Sequence, residues 1–199
     1  MTIVYLDDDR LDIEEKDGPS TVGELIDALA REVAPHKMVV TGVVADGERR
    51  DDWTAERFRS AAMADFGEIR ILTDSVESIA LHGVATCIEY LEVITGLIGE
   101  VVERLRSGEE EEALTGLSKV FVDINELVRT IEALDKVRTY DIRPFQGEPS
   151  SLYGSLEALL QELRSAQQSG DMVLMADLLE YEISPLLDKL EEALRAPGG

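Results

Sequence analysis

The chain has 199 residues, and 42 Asp and Glu oppose 19 Lys and Arg for a formal charge of −23. That excess repels nucleic-acid backbones and anionic membrane surfaces, so neither is expected as a partner. The apolar fraction of 44% is enough for a packed core, and no run is long and apolar enough to predict a membrane-inserted helix. The N-terminus lacks the pattern of a signal peptide, and the single cysteine, Cys87, cannot form an internal disulfide. A cytoplasmic protein is expected. Residues 1–75 hold 18 acidic and 9 basic side chains, a net of −9, and residues 76–199 hold 24 and 10, a net of −14. The acid is therefore spread over the chain, with no tail to carry it.

Residues 2–8 (TIVYLDD) and 11–15 (LDIEE) alternate as strands, with the cluster Asp7-Asp8-Asp9-Arg10 as a hairpin turn between them. Thr21 and Glu24 have the spacing of a capping box. Val22, Leu25, Ile26, Leu29 and Val33 then recur at helical spacing up to Pro35. Residues 38–45 (MVVTGVVA) predict a strand that ends at the turn Asp46-Gly47. A partly helical stretch over 52–65 follows, and 67–73 (GEIRILT) predicts a last strand. The order β-β-α-β-α-β resembles a β-grasp, or ubiquitin-like, fold over residues 1–75.

From residue 76 onward the period is helical. Leu81, Val84, Ile88, Leu91, Ile98, Val102 and Leu105 form one stripe, with Ala80, Cys87, Ile94 and Val101 beside it. An apolar arc this wide predicts more than one neighbour. Gly83, Gly96 and Gly99 lower helix propensity and suggest close helix approach. Ser107-Gly108 ends this helix, and Leu114, Leu117, Phe121, Ile124, Val128 and Ile131 stripe the next. The run of glutamates 109–112 fits a helix N-terminus, where carboxylates meet the positive end of the macrodipole. Residues 138–150 are a predicted loop. Two further arms meet at Gly170-Asp171, and Pro185 predicts a kink near 181–184. Two helical hairpins joined by one longer loop predict a C-terminal antiparallel four-helix bundle over 76–199. The junction at 75–78 is too short for a flexible linker, so a fixed orientation of the two halves is expected.

Known chemistry is sparse. His36 and His82 lie in no metal-binding or zincin pattern, no Cys-x-x-Cys exists, and no glycine-rich phosphate loop occurs. No catalytic, cofactor or metal residues are assigned, and a non-enzymatic protein is expected. Recognition remains. The candidate partner-binding residues are Ile94, Leu97 and Val101 on the long helix, with Tyr140, Phe145, Tyr153 and Tyr181, because aromatic anchors are common hot spots.

Residues 171–187 (DMVLMADLLEYEISPLL) resemble a segment of uncharacterised bacterial proteins that join a small β-grasp-like N-terminal domain to a helical C-terminal domain. That resemblance implies a bacterial cytoplasmic protein. In physical type, the acidic, cysteine-poor helical half resembles flagellar or type III export chaperones. Those hold a disordered substrate along hydrophobic grooves, which implies a basic or amphipathic protein partner. Two other functions fit the residues: self-association into a homodimer through the wide arc of the long helix, and imitation of nucleic acid by acidic helices.

Overall fold

The computed structural model describes residues 2–13, 18–137, 144–145 and 148–195, and it divides into two compact units, Met1–Ile79 and Ala80–Gly199. The first is an α+β unit built on a mixed five-stranded sheet. The second is mostly helical.

In the first unit, β1 (Ile3–Leu6) and β2 (Asp9–Leu11) form a hairpin, followed by α1 (Val22–Val33), β3 (Met38–Ala45), β4 (Glu48–Arg49), α2 (Glu56–Arg59) and β5 (Glu68–Ser75). The strand order is β2-β1-β5-β3-β4. β1 and β5 run parallel, and the other neighbours are antiparallel. Alternation sends Val4, Val43, Ala45, Ile69 and Ile71 to one face, where they form a core with Val22, Leu25, Ile26 and Leu29 of α1. Two turn aspartates secure β5. Asp7 (φ 52°) accepts the Thr73 N–H at 2.8 Å and its hydroxyl at 2.6 Å. Asp46 (φ 51°) accepts the Gly67 and Glu68 N–H groups, both at 2.8 Å.

The capping box at Thr21 is present: its hydroxyl accepts the Glu24 N–H at 3.2 Å. Glu24 reaches back to Ser20 and Thr21, and these hydrogen bonds, the one from the Ser20 N–H first, hold its carboxyl below the usual range. Two local features differ from expectation, the first hairpin and the turn after β3. The first hairpin is tighter than predicted, with β2 at Asp9–Leu11, and residues 14–15 of the expected strand lie outside the described residues. The stretch 52–65 is partly helical as expected, with α2 and a 3-10 turn, Met63–Asp65. The turn Asp46-Gly47 is followed by a two-residue strand, β4, that closes a second hairpin.

The second unit takes up α3 (Val76–Ser107) from Ala80 and adds α4 (Glu110–Asp135), α5 (Ser150–Ser169) and α6 (Met172–Asp177). A π-helical turn, Leu178–Ile183, leads into α7 (Ser184–Arg195). Gly108 and Gly170 take positive φ at the two tight turns, and Asp171 accepts the Leu174 N–H at 3.0 Å to cap α6. The π turn immediately precedes Pro185. Proline lacks the N–H for a helical bond and its ring collides with the carbonyl four residues back, so the predicted kink takes the form of a widened turn.

The helices share one core, with Leu91, Ile94 and Ile98 of α3 facing Leu117, Ile124, Leu163, Leu179 and Leu187. Leu81, expected on the buried stripe, is 54% exposed, because Ala80, Val84 and Cys87 set the core-facing side away from it. The glycines of α3 divide. A Cβ on Gly83 would meet Leu134 Cδ2 at 2.6 Å, so α4 approaches closely there, whereas Gly96 and Gly99 have nothing within 4 Å. Among the described residues no helix is long and apolar enough to cross a membrane.

Candidate functional site

The widened turn before Pro185 lies against α3, and a cleft of about 490 Å³ opens between them. Its lining combines three kinds of side chain. Ile98 and Val102 supply an apolar floor, both buried at their bases in the core. Thr95 and Ser184 supply hydroxyls, and Glu103, Arg106 and Glu180 supply charge. Gly99 completes the wall without a side chain, which leaves the cleft open along α3.

Arg106 organises the charged rim. Its guanidinium pairs with Glu180 and lies 3.9 Å from Asp177. The bond from Arg106 holds the Glu180 carboxyl below its usual range. Glu180 first, and Tyr181 second, hold the guanidinium more firmly protonated. The site thus presents an apolar floor beneath a rim in which three carboxylates, Glu103, Asp177 and Glu180, outnumber one guanidinium. That arrangement suits an apolar side chain flanked by a cation.

The predicted residues fall in three settings. Ile94, Val101 and Phe145 are all 0% exposed and belong to the core of the folded unit. Leu97 and Tyr153 are half-buried and pack against that core. Tyr181 is 61% exposed beside the Arg106–Glu180 pair. Tyr140 lies outside the described residues. Phe145 and Tyr153 do come together. With Pro149 and Ser150 they line a second cavity of about 350 Å³, whose acidic wall is Glu132 and Asp135. Burial first, then the charges of Glu132, Asp135 and Cys87, push the Tyr153 phenol up to about 12.

Sequence reasoning missed Thr95, Ile98, Gly99, Val102, Arg106, Glu180 and Ser184 as one constellation. The available signals were Gly99, a glycine inside a helix, and Pro185, a proline inside another. Each marks a defect in a regular helix surface, but nothing in the spacing showed that the two defects face each other. Among the described residues, no group of three or more His, Cys, Asp or Glu side chains is placed to hold a metal ion.

Residues 83–193 match the family described as a domain of unknown function, DUF8042. No curated protein and no solved structure matches the chain.

Proposed function

The chain belongs to the DUF8042 family, and we propose that it is a non-enzymatic protein-binding module of the cytoplasm whose α3 cleft holds a basic or amphipathic segment of a partner protein. In this reading the first unit is β-grasp-like and the second an antiparallel four-helix bundle. Short-range pairs support the bundle: Gly83 with Leu134 and Gly116 with Val101 between α3 and α4, and Arg195 with Glu92 at 3.3 Å between α7 and α3. The observation that carries the function is the cleft itself, an apolar floor open past Gly99 beneath an acid-rich rim. A disordered substrate of export-chaperone type, with alternating apolar and basic residues, is the partner class this chemistry suits.

A photo-crosslinking residue at position 99 tests the proposal, because a Cβ there has nothing within 4 Å and the position lines the cleft. Crosslinking in cells should trap one polypeptide at position 99 and none at position 122, an exposed site on α4. Arg106→Glu should change the yield, since it removes the one cation among the described residues that line the cleft. Equal trapping at both positions, or none at position 99, would sink the reading.

The exposed valines Val93, Val122 and Val173 favour a second reading, self-association of the helical unit. A monomer in sedimentation at tens of micromolar, about the working range of weak association, would remove it.

A further inference from the structure

The register of the first unit's sheet places one residue from each strand in a single row. Arg10 of β2 stands opposite Tyr5 of β1, Tyr5 beside Arg70 of β5, Arg70 opposite Val44 of β3, and Val44 opposite Arg49 of β4. Directly paired residues share a face. Val4, Val43, Ile69 and Ile71, their neighbours in sequence, fill the core on the other side, so this row lies on the face turned away from α1. Three arginines are thus aligned across five strands of a chain whose formal charge is −23. Strands lie about 4.8 Å apart, so successive arginines are about 10 Å apart and the row is about 19 Å across.

The row is built, not scattered. The Arg70 guanidinium lies 4.7 Å over the Tyr5 ring and bonds Asp8 at 2.9 Å, which holds it at the centre of the row. Gly42 leaves room beside Val44, and a Cβ there would lie 3.7 Å from the Arg49 guanidinium and 3.6 Å from Leu72. Arg10 and Arg49 are exposed and make no ion pair among the described residues. Two unpaired cations therefore flank a half-buried strip of Tyr5, Arg70 and Val44.

We propose that this sheet face is a second docking surface, which recognises an acidic amphipathic segment of another protein through Arg10 and Arg49 on either side of the half-buried strip of Tyr5, Arg70 and Val44. Arginine and tyrosine side by side are the composition of protein-binding hot spots. Charge complementarity selects an acidic partner. Nucleic acid is disfavoured by two observations. The single aromatic ring in the row already carries Arg70 over one face, which limits base stacking there. Residues 1–75 as a whole carry a net charge of −9, which repels a long polyanion more than a short segment that also offers an apolar face. This surface lies on the first unit and does not depend on the cleft of the second.

Fluorescence anisotropy with the full chain tests the assignment. The probe is a labelled peptide of about 20 residues, long enough to cross the row, with glutamates on one helical face and leucines on the other. The comparison probe is an oligothymidine of equal length. The peptide should bind saturably, and salt should weaken it. Arg10→Gln with Arg49→Gln should weaken it about tenfold or more, as expected for hot-spot cations. Arg10→Lys with Arg49→Lys should retain most of the binding, which separates lost charge from lost folding. Absence of peptide binding, equal binding by the Gln and parent chains, or tighter binding of oligothymidine each overturns the proposal. Increased self-association of the Gln variant with peptide binding unchanged also overturns it, because the arginines would then serve only as edge-strand guards.

Discussion

Gly116 of α4 yields its side-chain space to Val101 of α3: a Cβ on Gly116 would stand 2.6 Å from Val101 Cγ2. Val101 is fully buried and β-branched, so it has no second rotamer to retreat into. Gly116→Ala gains helix propensity of up to about 1 kcal/mol but overpacks the contact by about 1–3 kcal/mol. A net loss of stability is expected, measured as a lower urea midpoint. Val101→Ala in the same chain should recover part of that loss, and strictly additive losses would show that the two residues are not in contact.

Gly96 carries the opposite sign. It sits in the same helix as Val101, yet a Cβ there meets nothing within 4 Å. Gly96→Ala should therefore raise stability by about 0.5–1 kcal/mol, the usual gain at an exposed helix interior. A fall in the midpoint would show that position 96 is occupied by another chain in solution.

The contrast between these glycines shows how far the sequence was legible. Periodicity located the helices, because the apolar stripes at 3.6-residue spacing are set by the chain itself. The capping box at Thr21 and the stop at Gly170 were legible for the same reason, since each is satisfied by residues within three or four positions. The strand Met38–Ala45 was legible from its β-branched run. What faces a given glycine depends on another helix, so Gly83 and Gly96 look alike in sequence and differ in the fold. The cleft follows that rule, because Gly99 and Glu180 are 81 positions apart. The arginine row was invisible too. Arg10, Arg49 and Arg70 become neighbours only through the order β2-β1-β5-β3-β4.

Thr21→Ala should destabilise the first unit by about 1 kcal/mol, since it strands the Glu24 N–H at the helix start. Glu24→Gln tests the reciprocal half. The Glu24 carboxyl is held below its ordinary value of 4.5, so its contribution is present above that value and is lost as pH falls through the lower folded value. Thermal melts of the parent should accordingly weaken in acid more than those of Glu24→Gln. Parallel curves for the two chains would show that the reciprocal bond adds nothing.

Asp123 is the one buried charged side chain among the described residues, and its Oδ2 has no hydrogen-bond partner. Tyr90 of α3 interacts with it across the helix pair, and that interaction, after burial, raises the phenol. Tyr90→Phe alone should destabilise by about 1 kcal/mol, because it removes the phenol that interacts with a buried polar side chain. Tyr90→Phe with Asp123→Leu removes both partners and should lie within about 1 kcal/mol of the parent or above it. A double variant weaker than the single would show that Asp123 has a partner that the folded chain alone does not supply.

The same pair sets the alkaline limit of the helical unit. Burial first, then the bond to and charge of Asp123, push the Tyr90 phenol up to about 12, and Tyr153 reaches about 12 through burial and the charges of Glu132 and Asp135. A phenol is neutral when protonated, so a raised value means that the fold favours the protonated form. Between the ordinary value of 10.0 and about 12, the unfolded chain has released these protons and the folded chain has not. The unfolded state binds fewer protons there, and stability falls as pH rises across that window. Phenolate absorbance in the folded chain should show a component that ionises late, reduced by Tyr90→Phe and again by Tyr153→Phe. Asp123→Leu should bring the Tyr90 part of it to lower pH, since the bond and the charge that hold the proton are gone. If that component is unmoved by Asp123→Leu, burial and the charge of Glu126 hold the proton and the two side chains do not interact.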